Sequence, residues 1–578
     1  MVYLRSILLI LLIYPWALVQ AANLDIEING VGDNLKKNVQ AYLSIYKESQ
    51  STIGLHSVRI QQLHKQAESE IKNSLQPFGY YAVSVTKKLV QDENSWVAQY
   101  EIELGEQIRI QQVDFNIIGE GKNSPSILDM LKGIPLRVGS VLDHSMYEDE
   151  KQRLLKVALT EGYLHAKYTV HEIKVDLEKY HASIKLEFNT GPRYLFGTVR
   201  FVQFGEQLDE QFLERYLPFK TGMPYSTAKL LELQSSLSDS DQFSRIEINQ
   251  LFNESSKLTI PLDINVTPRK PRRYRFGLGY GTDSGARASV EHQRRVSPKG
   301  HILTLKTKIS ERINRVDMQY TMPLKKPASE QLAMNTHYVE QVTESRKSYA
   351  AALDLRHITG RKKWRQAIAI TYEWEEYRVA NESGSSNLLM PNFELLRNSF
   401  NNRLYPTKGN RLTAEVWVSN DLWFSDADFL QLKLTGKWIF PFLKNGRFIS
   451  KLHAGGTLVE DIDHLPASKR FYTGGDQSIR GYGYEELGPT DANGNTIGGK
   501  YLGVAGIEYE HRILNNWGLA IFFDAGNSFI NFKEPIYRGA GVGGRWRSAV
   551  GPIRLDFAWP LDKDVEYPHL HLVIGLDL

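Results

Sequence analysis

Two rhythms of apolar and polar residues divide this chain. From about Asn23 to Arg269, short alternating runs are interleaved with runs whose apolar residues recur at helical spacing. Tyr147, Leu154, Leu155, Ala158 and Leu159 mark one amphipathic helix. Ser145 with Glu148 three residues on predicts a capping box at its start, and Gly162 is placed to end it. The run Ala182–Phe188 then alternates Ile184, Leu186 and Phe188 with polar partners, the pattern of a strand with one buried face.

This order of helices followed by strands comes round three times. Phe78-Gly79-Tyr80-Tyr81 closes the first helical part and Glu161-Gly162-Tyr163-Leu164 the second. Asp241-Gln242-Phe243-Ser244 takes the third place without the glycine. The steps are 83 residues (79 to 162) and 80 residues (162 to 242). Leading strands are predicted at Leu24–Ile28, Gln111–Ile117 and Thr198–Phe204. Matched spacing favours one repeated α+β module, with limits 22–106, 107–192 and 193–270, over three unrelated ones.

Beyond the junction Pro268-Arg269-Lys270-Pro271-Arg272-Arg273 only the two-residue period remains. Tyr274, Phe276, Leu278 and Tyr280 alternate with Arg273, Arg275, Gly277, Gly279 and Gly281. At the far end Leu570, Leu572, Ile574, Leu576 and Leu578 alternate with His569, His571, Val573, Gly575 and Asp577. Strands with one apolar and one polar face suit a barrel wall between lipid and a wet lumen. At roughly 19 residues per strand and turn, residues 271–578 hold about 16 antiparallel strands, an even number as such barrels require. Trp417, Trp423, Trp438, Trp517, Trp546 and Trp559 are expected in aromatic girdles at the membrane surfaces, for which a soluble β-sandwich has little use.

Composition alone looks soluble, with 24% charged residues and a mean hydropathy of −0.36. A transmembrane barrel has the same look, because only alternate residues face lipid. The net charge of +4 is too small to point to nucleic acid. The lack of cysteine excludes disulfides and thiolate chemistry. Residues 1–21 are expected to be a signal peptide: Arg5 supplies charge, Ser6–Ile13 is almost wholly apolar, and Val19-Gln20-Ala21 offers a cleavage site. An uncleaved anchor is the alternative, although Pro15 breaks a run already short for a bilayer. No later stretch holds 18 consecutive apolar residues.

The most informative segment is Arg470–Gly488, RFYTGGDQSIRGYGYEELG. Its five glycines let the backbone fold tightly, and Phe471, Tyr472, Tyr482 and Tyr484 would be out of place on an exposed polar loop. In a space that excludes water, the Arg480 guanidinium needs a carboxylate. Strand parity offers one. In Leu519–Gly526, Leu519, Ile521 and Phe523 share a face, so Phe522, Asp524 and Gly526 point into the lumen. A second feature is glycine at the barrel's closing strands: Gly277, Gly279 and Gly281 in the first, Gly575 in the last. These glycines either weaken the closing pair or make room for a folded-in loop.

The Arg480 segment resembles the loop that folds back into the lumen in outer-membrane assembly factors of the POTRA-plus-barrel superfamily, most closely the TamA family. The three repeats resemble POTRA domains. Phe522-Phe523-Asp524-Ala525-Gly526 matches the superfamily's F-x-D-x-G strand, and Glu508 in Gly506-Ile507-Glu508-Tyr509-Glu510 matches a second lumen carboxylate. Gly541–Trp546, Gly551–Asp556 and the Gly-Tyr-Gly-Thr-Asp-Ser-Gly run within Tyr274–Arg287 add to the match; residues 310–400 do not match as densely. The resemblance implies three α+β POTRA domains in the periplasm and a barrel in the outer membrane. It implies a lumen brace made of Arg480, Gly481, Tyr482, Asp524 and Glu508. It implies a lateral seam at Tyr274, Phe276, Gly277 and Gly279 opposite Leu572, Ile574 and Gly575. The implied task is to help insert or secrete outer-membrane β-barrel proteins such as autotransporters. The implied partners are a TamB-like envelope-spanning protein, client outer-membrane proteins and outer-membrane lipid. The alternative is a two-partner secretion pore that exports haemolysins or adhesins, a family that usually carries two POTRA domains and an N-terminal plug helix. A BamA-like insertase would carry five.

Enzyme readings fare poorly. Gly539–Gly544 satisfies G-x-G-x-x-G, but no βαβ unit surrounds it, so it is expected to be barrel strand. His569 and His571 share a face without an evident third metal ligand. No G-x-S-x-G, H-E-x-x-H or phosphate loop occurs. No catalysis, cofactor, metal or nucleic acid is expected.

Overall fold

The computed structural model describes residues 23–50, 55–92, 95–252, 258–344, 346–402, 404–548, 551–563 and 567–575. The expected signal peptide lies outside them, as do Leu576, Asp577 and Leu578 of the last alternating run.

Three sheets of three strands share one spatial order, with the strand last in sequence at the centre. They are Asn23–Asn29, Ser95–Glu103 and Ser84–Asp92; Arg109–Ile118, His181–Asn189 and Lys167–Asp176; and Leu195–Gln203, Thr259–Pro268 and Phe243–Gln250. In the first two the leading strand runs parallel to the central one, which pairs antiparallel with its other neighbour. A parallel pair needs a crossover, and the helices provide it. Helix Ser57–Leu75 buries Ile60, Leu63, Ala67, Ile71 and Leu75. Each of the Ile and Leu side chains contributes about 1.5–3 kcal/mol of burial. Helix His144–Thr160 buries Tyr147, Leu154 and Ala158, while Leu159 of the expected apolar face points outward.

Two local expectations need correction. Asp143, not Ser145, caps helix His144–Thr160: its carboxylate accepts the backbone N–H of Ser145 (2.8 Å) and Met146 (3.1 Å). A carboxylate two residues earlier reaches the same orphan donors, and Glu148 is left to pair with Lys151. In the third repeat the left-handed residue that Gly79 and Gly162 supply is Asp241 (φ 55°), one place ahead of Gln242. Aspartate is among the few side chains that tolerate this region.

From Arg272 onward, sixteen strands among the described residues close into a barrel, each beside its sequence neighbours and the last beside the first. Exposed and lumen-facing residues alternate as expected: Leu519, Ile521 and Phe523 face out while Phe522 and Asp524 are buried. The G-x-G-x-x-G run lies within strand Tyr537–Ser548. Trp438, Trp517, Trp546 and Trp559 belong to the outward set, and Trp517 and Trp546 stack with ring centroids 5.2 Å apart. Trp423 is exposed too, and Trp417 is the exception. Trp417 packs inward near Leu388, Met390 and Leu465, because it shares parity with buried Ser419. Trp423 ends a short helical turn beyond the strand. No helix among the described residues is long and apolar enough to cross a membrane, which says nothing about a barrel.

Candidate functional site

The connection from strand Gly446–Leu458 to strand Tyr501–Arg512 holds the segment singled out by sequence. Its backbone folds on itself through bridges Phe471–Gly499, Thr473–Leu487 and Thr490–Thr496. Ile479, Tyr482 and Leu487 are buried in one cluster with Val504 of the wall, so the loop has an apolar seat of its own. The Tyr482 hydroxyl donates to the Arg538 carbonyl (3.2 Å), satisfying the one polar atom of a buried ring.

Arg480 sits among three carboxylates. Its Nε donates to Asp524 Oδ2 (2.6 Å) and Nη2 to Asp524 Oδ1 (3.1 Å). Nη1 donates to Glu508 Oε2 (2.6 Å) and to Asp556 Oδ2 (3.3 Å). The guanidinium carbon stands 3.4 Å from the Phe522 ring centroid. The structure thus brings together the expected residues and adds Asp556. Glycine makes the approach possible. A Cβ on Gly539 would lie 1.9 Å from the Arg480 carbonyl oxygen, and Gly481 (φ 98°) runs against the Trp559–Pro560 backbone.

Arg545, to which no sequence motif assigns a role, extends the network. It donates to Glu508 (2.7 Å), Glu510 (3.2 Å) and Asp556 (2.5 Å). Arg447 pairs with Glu510 (2.6 Å) and Lys451 stands 3.8 Å from Asp524. Four cations (Arg447, Lys451, Arg480, Arg545) therefore face four carboxylates (Glu508, Glu510, Asp524, Asp556). That balance matters, because an uncompensated buried charge typically costs about 3–5 kcal/mol.

Three further anchors lie in the stretch of sequence where the family match is sparse, and no motif marked them. Arg346 pairs with Glu485 (2.9 Å), Arg470 with Glu382 (3.0 Å), and Lys469 with Glu373 (2.8 Å). Arg346 also donates to the Ala467 carbonyl (3.1 Å) and lies over the Tyr472 ring, 4.5 Å from its centroid. The loop is tied to both sides of the lumen.

Tyr274, Phe276, Gly277 and Gly279 lie on the first strand, Arg272–Gly281, and Leu572 and Ile574 on the last, His569–Ile574. Among the described residues these strands pair only at Tyr280–Ile574 and Gly281–Val573, whereas the first strand pairs with its other neighbour along its whole length. Gly575 follows in the left-handed region (φ 96°) and its N–H turns back to the Pro552 carbonyl (3.1 Å). Gly279 lies against the Ile574 carbonyl of the last strand, and Gly281 faces Ser284 and, further off, Asp476 of the loop. Phe276 and Leu278 are 77% and 85% exposed, an apolar edge that water would not tolerate and lipid would.

Residues 266–577, more than half of the chain, match the Omp85 superfamily domain, and residues 25–104 match the POTRA domain TamA domain 1. The chain belongs to the Omp85 superfamily. It is 25% identical over 193 residues to the outer membrane protein assembly factor BamA of Nitratidesulfovibrio vulgaris, covering 32% of this chain and 24% of that one. The match thus spans about a quarter of that relative's length. In fold the chain is similar to the crystal structure of BamA from Haemophilus ducreyi lacking POTRA domains 1–3, with a TM-score of 0.60 and 17% identity over 80% of this chain and 99% of that one. CdiB from Acinetobacter baumannii is a more distant likeness, at a TM-score of 0.48 and 14% identity over 91% of this chain and 99% of that one.

Proposed function

We propose that this chain is a TamA-type assembly factor of the outer membrane, which helps insert or secrete β-barrel proteins such as autotransporters without chemical turnover. Its modules 22–106, 107–192 and 193–270 stand in the periplasm and dock a TamB-like envelope-spanning protein, while barrel 271–578 meets lipid and clients. The observation that carries this reading is the joining of three POTRA-like sheets, the first matching a TamA domain, to one sixteen-stranded barrel. In it, the lumen loop braced at Arg480 keeps the barrel closed to solutes. The scant pairing of first and last strands lets the wall open sideways, where exposed edges can template an incoming strand.

The test is capture of the tagged full chain from cross-linked cell envelopes. Recovery of a long, β-rich protein anchored in the inner membrane is the expected result. Recovery of a secreted exoprotein instead would replace this reading with the two-partner export pore. Normal insertion of autotransporters in cells lacking the chain would overturn it.

A further inference from the structure

The lumen loop touches the seam as well as the wall. Besides the two paired positions, a single backbone bond joins the seam strands at this end, from Thr282 N–H to the Leu572 carbonyl (3.0 Å). Beside it two side chains leave the wall for the lumen. Asp283 comes from the turn after the first strand, and His571, 2% exposed, from the last strand. Both accept hydrogen bonds from the loop backbone: the Asp476 N–H donates to the Asp283 carboxylate, and the Gly481 N–H donates to His571 Nε2 (3.0 Å).

Because Nε2 accepts, neutral His571 carries its proton on Nδ1. That buried N–H has no hydrogen-bond partner and stands 3.9 Å from Asp283 Oδ1. The loop is shaped to these contacts. Gly475 (φ 95°) passes so close to Asp283 that a Cβ would lie 2.3 Å from its Oδ2.

We propose that Asp283 and His571 are positioning residues that latch the first hairpin and the last strand to loop segment Asp476–Gly481, so that closure of the seam depends on the seated loop and not on strand pairing alone. The functional meaning of the latch rests on the reading of the seam as a gate. The latch itself is a property of the barrel without client or partner.

The chain has no cysteine, so Leu278→Cys with Leu570→Cys, both on the outer wall, accepts one pair of spin labels. Pulsed electron paramagnetic resonance of the full chain in lipid nanodiscs then reads the distance across the seam. The parent should give one short-distance population. His571→Leu and Asp283→Ala should each raise a longer-distance population roughly fivefold, the shift expected from about one lost hydrogen bond. His571→Gln, whose amide oxygen can accept the Gly481 N–H, should return it towards the parent. Unchanged distances in folded His571→Leu and Asp283→Ala barrels overturn the latch, and so does a Gln variant that behaves like Leu. If His571→Leu does not fold, Asp283→Ala and Gly475→Ala carry the same test from the turn and the loop. Client insertion measured alongside separates the two claims: an opened seam with normal insertion keeps the latch and removes the gate.

Discussion

Arg346 and Glu485 form a buried ion pair, 2.9 Å apart, far around the wall from the carboxylates that hold Arg480. Arg346 opens the sixth barrel strand, whereas Asp524 lies in the thirteenth of sixteen. One end of the Arg480–Glu485 stretch is thus moored to each side of the lumen. Arg480→Ala should therefore loosen only the segment around Asp476–Gly483 and leave the Ala467–Thr473 portion protected. Arg480→Ala combined with Arg346→Ala should also free the portion around Glu485, while the Lys469–Glu373 and Arg470–Glu382 pairs keep Ala467–Thr473 in place. Hydrogen exchange resolved by segment distinguishes these outcomes, and loss of protection across the whole loop in the single variant would show that the Arg346, Lys469 and Arg470 pairs hold nothing on their own.

Arg545 should matter as much as Arg480. It touches Glu508, Glu510 and Asp556, so its removal leaves three buried carboxylates short of a donor. Arg545→Ala is expected to cost about 3–5 kcal/mol, the range for breaking a buried pair. Since both arginines share Glu508 and Asp556, the double variant should fall short of the summed losses. Denaturant or heat unfolding followed by the barrel's altered gel mobility gives the comparison, and strict additivity would mean the network is two independent pairs.

Much of the fold was legible because a half-buried strand and an amphipathic helix write their periods directly into sequence. The same parity rule put Asp524 in the lumen, and the glycine-rich, aromatic setting of Arg480 said that it required a partner. Arg346, Glu382 and Glu373 were not legible. Each is an ordinary charge on a strand whose lumen face is polar anyway, and its partner lies about a hundred residues away with no local pattern to announce it. Trp417 failed for a related reason: a tryptophan near a strand end reads as a girdle residue until the inserted loop gives it an apolar surface inside. The Asp143 cap was missed because Ser145 and Glu148 satisfied a spacing rule that a better-placed carboxylate pre-empted.

Gly539→Ala separates the loop's position from its charge. The added methyl would meet the Arg480 carbonyl at 1.9 Å, and neither backbone can move without disturbing strand Tyr537–Ser548 or the Arg480 cluster. All the charges remain, yet the loop should lift, with exchange around Asp476–Gly483 rising as in Arg480→Ala. Gly544→Ala, where a Cβ meets nothing within 4 Å, is the matched control and should behave as the parent. Equal protection in the two alanine variants would mean the close approach imposes no constraint.

A disulfide across the seam tests whether the wall must open. Tyr280 and Ile574 face each other in the pairing register, at a separation that cross-strand pairs bring to about 4.5–5.5 Å between Cβ atoms. Tyr280→Cys with Ile574→Cys should oxidise readily, and the chain offers no native thiol to compete. Insertion of a client barrel should stop in the oxidised form and resume after reduction. Full insertion by the cross-linked protein would exclude opening at this seam.

Asp283 gives the loop contact a pH dependence of defined sign. It lies in the turn after the first strand, outside the spanning strands, where burial and then the neighbouring Asp476 push its carboxyl up from 3.8 to about 7. Arg312 opposes this, and His571 faces it from the last strand. A carboxyl whose folded value is raised binds its proton more tightly in the folded state, so stability falls as pH rises from about 3.8 to about 7 and levels off above that. The seated loop should therefore resist protease better at pH 5 than at pH 8, with the two carboxylates repelling one another at the higher value. Asp283→Asn keeps an oxygen for the Asp476 N–H but cannot ionise, so it should retain protection at pH 8 and flatten the profile. Cleavage of the loop by a protease active across this range, at matched activity, reads both slopes. Parallel slopes in the parent and the Asp283→Asn variant would place the titrating group elsewhere in the barrel.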